Sequence, residues 1–163
     1  MNLSVHGKPY DWKGYHNSFT VKEAKYVTKF CSNILLGSRL SKNISLNIYF
    51  DELAETGDLG YCLPVDHDNP NGCREFVISI EKALPREKAL PVIAHELEHV
   101  RQFARKELRN EHRKLYYWKP SGAYYQLTDK NHKNMPWEKQ AYRTESWLLQ
   151  FYTEHCKMYN LNF

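Results

Sequence analysis

Ala89-Leu90-Pro91-Val92-Ile93-Ala94-His95-Glu96-Leu97-Glu98-His99-Val100-Arg101-Gln102-Phe103 is where the chain changes its period. Leu90, Ile93, Ala94, Leu97, Val100 and Phe103 recur at helical spacing, so a long helix is expected from Ala89 to about Leu108. Pro91 is tolerable there only in the first turn, where its missing N–H has no bond to lose. Upstream the period is two. Ile44, Leu46, Ile48 and Phe50 alternate with Ser45, Asn47 and Tyr49, and Leu59, Tyr61, Leu63 and Val65 alternate again. Phe76, Val77, Ile78 and Ile80 make a third apolar run that ends before Pro85. Turn residues separate these runs, around Glu55-Thr56-Gly57-Asp58 and along Asp66-His67-Asp68-Asn69-Pro70-Asn71-Gly72. Three strands on short polar connections predict a small, mainly antiparallel sheet, a meander or a mixed one.

Working outward, Thr20-Val21-Lys22-Glu23 has the form of a capping box. Val21, Ala24, Val27, Phe30 or Cys31, and Ile34 continue a helix that should stop near Gly37. Residues 1–18 lack periodicity and read as an arm packed through Tyr10, Trp12 and Tyr15. Beyond the central helix, residues 109–135 are polar and irregular until Pro136 opens a last helix to about His155, at its favoured first position. Helix, three strands, helix, long loop, helix is the order of a single α+β domain spanning 1–163.

The chemistry is concentrated in His95-Glu96-Leu97-Glu98-His99. Residues four apart on a helix share a face, so His95 and His99 can bind one zinc ion, at about 2.0–2.1 Å from each nitrogen. Glu96, one position on, can reach a water on that metal and act as general base. A catalytic zinc needs a third protein ligand and an open position. Arg105 stands where an extended pattern would place a third His, and His112 is too close in sequence to fold back. Glu138, at the start of the last helix beside Trp137 and Ala141, is the favoured third ligand. Glu145, two turns on along the same face, is the alternative, or else an acceptor for an imidazole N–H. Tyr142 is the catalytic candidate for stabilising an oxyanion, with Tyr124, Tyr125 and His132 behind it. Glu98 is expected to pair with Arg101, Gln102 or Arg105.

His95-Glu96-x-x-His99-Val100-x-Gln102 followed by Pro136-Trp137-Glu138-x-x-Ala141-Tyr142 resembles the short zincin-type metallopeptidases of phage and bacterial genomes, in which a downstream Glu completes the site as in gluzincins. The match covers about residues 74–150. The resemblance implies a zincin-like fold, a zinc cofactor and hydrolysis of a protein or peptide substrate. It also implies a strand edge beside the motif helix that holds an extended peptide, at Glu75 to Glu81. The chain lacks the third His and its glycine found in metzincins, and the zinc-ribbon cysteines of SprT-like proteases, so a role in DNA repair is not carried over.

Composition bounds the rest. The chain has 163 residues, 42% hydrophobic and 14% aromatic, which excludes a wholly disordered chain and suffices for one core. Net charge is +4, permitting an acidic partner without requiring one. Arg101, Arg105, Lys106, Arg109, Arg113, Lys114 and Lys119, interleaved with Tyr116, Tyr117 and Trp118, carry the second reading: a zincin-fold module that binds nucleic acid or an acidic host protein. Cys31, Cys62, Cys73 and Cys156 form no C-x-x-C pair and are expected as reduced thiols, although Cys62 and Cys73 could meet across a hairpin. The first residues lack an apolar signal segment, and no run is long enough to span a bilayer. A soluble cytoplasmic monomer is the expectation, in the bacterial host's cytoplasm if the phage likeness holds.

Overall fold

The computed structural model describes every residue except 11–18, 54, 56 and 129. Trp12 and Tyr15 therefore lie outside the described residues, while Tyr10 is mostly exposed and donates its main-chain N–H to Lys82 O at 2.6 Å. Three helices and two sheets make up the described chain. The general α+β expectation holds, and three details of it do not.

The first concerns the sheet. Residues 1–18 are not all arm, because Asn2–His6 forms strand β1. It pairs in parallel with β2 (Ser45–Asp51), which pairs in parallel with β4 (Glu75–Glu81). Strand β3 (Gly60–Pro64) lies antiparallel on the far side of β4. The order β1-β2-β4-β3 is a four-stranded mixed sheet, not a three-stranded mainly antiparallel one. Two parallel neighbours need a crossover between them. Helix α1 (Val21–Ser41) supplies one, from β1 to β2. Leu46, Ile48 and Phe50 of β2 and Phe76, Ile78 and Ile80 of β4 are buried on the face that α1 and α2 cover.

Helix α1 begins as the capping motif requires, with Thr20 Oγ1 accepting from Glu23 N at 3.0 Å. Gly37, at φ 75°, breaks it as expected, but one more turn follows to Ser41. Arg105 Nη2 approaches the carbonyls of Leu35 and Leu36 just before the break, at 3.3 Å each, and so serves main-chain acceptors that the break frees.

The second difference is the central helix. Helix α2 spans Arg86–Ala104, so it starts and stops earlier than the sequence period suggests, and Pro91 sits in its second turn. Pro91 also faces the cleft described below, so the bond its ring removes lies on an open side of the helix.

The third is the stretch 109–135, which is not an irregular loop. Strands β5 (Leu108–His112), β6 (Leu115–Trp118) and β7 (Ala123–Gln126) form an antiparallel sheet, followed by a 3-10 turn at His132–Asn134. Leu108, Trp118, Met135 and Trp137 form its small buried cluster, separate from the main core. Trp137 packs against Tyr116, Tyr125 and Trp118 with ring centroids 5.3, 5.8 and 6.3 Å away. This sheet thereby anchors the start of helix α3 (Pro136–Met158), which lies along α2. Among the described residues, no helix is long and apolar enough to cross a membrane.

Candidate metal centre

Trp137 is tied to the aromatic cluster, so the next residue, Glu138, is aimed at α2. Its carboxylate is buried, 3% exposed, and meets both motif imidazoles. Glu138 Oε2 lies 3.2 Å from His95 Nε2, and Oε1 lies 3.4 Å from His99 Nε2. The two rings stand edge to face, with centroids 4.9 Å apart. One ligand atom from each of His95, His99 and Glu138 falls within 4.8 Å of the others, a group of a size to hold one metal ion. Two imidazoles and a carboxylate are a donor set that zinc takes readily, and it leaves a fourth position free.

The partners of Nδ1 leave Nε2 of each ring to face inward. His95 Nδ1 lies 3.1 Å from Glu145 Oε2, and a carboxylate can only accept, so Nδ1 carries the proton. His99 Nδ1 lies 2.9 Å from Gln102 Oε1, and the Gln102 amide nitrogen is engaged elsewhere, so this Nδ1 donates too. Both Nε2 atoms therefore converge on Glu138, as N–H donors to its carboxylate when protonated and as lone-pair donors once a metal ion takes the proton's place. Of the two candidates for third ligand, Glu138 joins the cluster and Glu145 stands behind His95 as the acceptor of its N–H.

The electrostatics agree with a cation site. Burial pulls the His95 imidazole down, but the Glu138 and Glu145 carboxylates more than reverse this and raise its pKa to about 10. Burial acts against Glu138 as an anion, yet His132, His95 and His99 together hold its pKa far below the usual carboxylate range. A proton and a metal ion compete for the same imidazole lone pair, and the field that retains one favours the other. Glu96 is 6% exposed, and burial raises its pKa above the ordinary glutamate value. A carboxylate so shifted is better matched to taking a proton near neutral pH.

These groups line a cleft of about 630 Å³ between α2, α3, β3 and the second sheet. Strand β3 is its edge. Glu81 N bonds Leu59 O at 2.9 Å and Val65 N bonds Glu75 O at 2.8 Å, so by antiparallel alternation Gly60 and Cys62 turn their main-chain groups away from β4. The peptide-holding edge expected at Glu75 to Glu81 is thus misplaced. Strand β4 is paired on both sides, and the free edge beside the motif helix is β3. The reason is the parallel β2–β4 pairing, which puts the third strand in space outside the fourth.

Tyr142 lies beside the site, its ring edge to face with His95 at 4.7 Å. His132 is brought in from the 3-10 turn, with Nε2 3.1 Å from Glu138 Oε1. Tyr125 packs on Trp137, and Tyr124, on Tyr117, points largely to solvent. His112 is exposed at the β5–β6 turn. Gly60, which the sequence did not single out, and Tyr116, which it placed only in the basic stretch, also line the cleft. A glycine inside an alternating run was the available signal for Gly60, and Tyr116 had none among so many tyrosines.

The basic stretch is largely committed within the chain. Arg101 is held by Glu98 at 2.7 Å and Glu107 at 2.8 Å, which places Glu98 in the expected helix pair. Arg105 caps α1, Lys106 Nζ reaches Pro70 O at 2.9 Å, and Arg109 pairs with Glu111 and stacks on Tyr117. The four cysteines, Cys62 and Cys73 included, are free thiols. Compared with known proteins, the chain matches no family model, no curated protein and no solved structure.

Proposed function

We propose that this chain is a zinc-dependent peptidase of zincin-like fold, with His95, His99 and Glu138 holding the metal and Glu96 as general base. The observation that carries the reading is the convergence of both Nε2 atoms on the Glu138 carboxylate, within a span that fits one metal ion, in the cleft that Glu96 also lines. A zinc ion held there would supply Lewis acidity, lowering the pKa of water toward neutrality and polarising a scissile carbonyl.

The chain's own groups account for the rest. The outward main-chain groups of Gly60 and Cys62 offer an extended peptide two positions for strand-like pairing, and Pro64, lacking an N–H, ends the ladder. Such a peptide would run past Glu96, whose Oε1 lies 3.5 Å from the point where a Gly60 Cβ would stand. Glu96 accepts the proton of the attacking water and returns it to the leaving amine. Tyr142 and His132 stand on the α3 side of the cleft, where a donor to the developing oxyanion is required. The carboxylates of Glu98 and Glu107 on Arg101, and of Glu111 on Arg109, weaken the field on which the nucleic-acid or acidic-partner reading depends.

The test combines metal analysis with one substitution. The purified protein should carry one equivalent of zinc, and His95→Ala or Glu138→Ala should lose it. Glu96→Gln should keep the zinc and cut a mixed peptide library slower by about 100-fold or more. Zinc-free wild type, or full cleavage by Glu96→Gln, would sink the proposal.

A further inference from the structure

Gln102 is fully buried, at 0% exposure, on the face of α2 turned toward α3. Its carboxamide makes three bonds. Nε2 donates to Trp137 O at 3.0 Å and to Gln140 Oε1 at 3.0 Å, while Oε1 accepts from His99 Nδ1 at 2.9 Å. The two acceptors on the nitrogen side fix which way the amide points, so the oxygen faces the imidazole. Trp137 immediately precedes Glu138. One side chain thus grips the ring of one ligand and the main chain adjoining another, across two helices. The aromatic cluster under Trp137 makes the α3 end of this bridge rigid.

We infer that Gln102 is the positioning residue of the centre, orienting His99 and setting the register of Glu138 against α2 through a single amide. This rests on the metal-centre reading above. A leucine or methionine would fill the same volume on an apolar helix face. It would leave His99 free to turn and remove the tie from α2 to the Trp137 carbonyl, which is why a buried polar side chain stands here.

The test reads metal binding, not turnover. Zinc affinity is measured by chelator competition, and the visible spectrum of the cobalt(II)-loaded protein is recorded, for wild type, Gln102→Met, Gln102→Glu and the core control Leu148→Ala. Gln102→Met is expected to stay folded, bind zinc about 10- to 100-fold more weakly and show a changed cobalt spectrum. Gln102→Glu keeps an oxygen toward His99 and should bind more tightly than Gln102→Met. Leu148→Ala should melt earlier with the cobalt spectrum of wild type. If Gln102→Met does not fold, Gln140→Ala removes one acceptor of the amide from a half-buried position and should weaken zinc roughly 2- to 10-fold. Wild-type affinity and spectrum in the Gln102 variants, or losses matched by Leu148→Ala, would overturn the role of Gln102 alone. Failure of wild type to bind zinc would overturn the metal centre beneath it.

Discussion

Gly60 is the residue whose side chain the cleft cannot accept. A Cβ built there would lie 2.5 Å from Val92 Cγ1, 3.1 Å from Ser79 O and 3.5 Å from Glu96 Oε1. Close approach, not a special backbone angle, is the reason for glycine. Gly60→Ala is therefore expected to destabilise the protein by about 1–3 kcal/mol, as overpacking does. In the double variant Gly60→Ala/Val92→Ala the penalty should be smaller than the two single losses added together, because the clash has one partner that can be trimmed. Urea unfolding of the four proteins measures the coupling, and strict additivity would contradict the geometry.

Two connections carry the element-scale tests. The β5–β6 turn places Arg113 at φ 44° and Lys114 at φ 64°, both left-handed. Asn-Gly is the pair that such a turn prefers. Replacing Arg113-Lys114 by Asn-Gly should raise stability by roughly 1 kcal/mol, seen as a higher urea midpoint at unchanged slope. The second connection joins β3 to β4 and is organised by Asp66. Its carboxylate accepts from Arg74 N at 2.8 Å, Glu75 N at 2.9 Å and Asn69 Nδ2 at 2.8 Å. Burial works against the anion, but the Asn69 amide and these main-chain N–H groups outweigh it and hold its pKa below the ordinary aspartate value. A carboxyl depressed on folding contributes stability above its unfolded pKa, about 3.9, and loses it as pH falls through the folded value. Asp66→Asn should be less stable than wild type at pH 7, and the gap should narrow as pH falls through the folded value and Asp66 takes up its proton. A gap that is constant with pH would show that the carboxylate's charge is not what matters.

At the scale of the molecule, one buried anion joins the three helices. Glu23 of α1 is 1% exposed and takes Arg86 Nε of α2 at 3.0 and 2.9 Å and the Tyr152 hydroxyl of α3 at 3.1 Å. The capping motif predicts that Glu23 turns back to the helix start. Its carboxylate instead turns into the core, because two long side chains converge there with donors that need an acceptor. Glu23→Ala should cost about 3 kcal/mol, the lower end for a broken buried pair, since Arg86 keeps some access to water. Thermal unfolding measures this, and a loss below about 1 kcal/mol would mean that the tie is incidental. The same tie holds α3 along α2, and with it the facing of Glu138 to the two histidines.

How much of this could be read from the chain follows from the range of the interactions. Helical period, the spacing of His95 and His99, the capping threonine, the stop at Gly37 and the proline that opens α3 are local, set by neighbours within one or two turns. Those features, with the alternating strands and the nomination of Glu138, were legible in the sequence. The short strands β5 to β7 were not, because β5 is polar and exposed after Leu108 and consecutive rings in β6 and β7 erase a period of two, so that pairing alone defines them. Nor was the sheet order, since β2 and β4 pair in parallel across the intervening β3, a choice made by the helices that must cover one face. The sequence favoured Glu138 and kept Glu145, on the same helix face, as the alternative. Only the packing of Trp137 into a distant aromatic cluster, and the bridge through Gln102, set Glu138 between the two Nε2 atoms and left Glu145 behind the His95 ring. Such contacts depend on where separate elements meet in space, and spacing along a chain does not encode that directly.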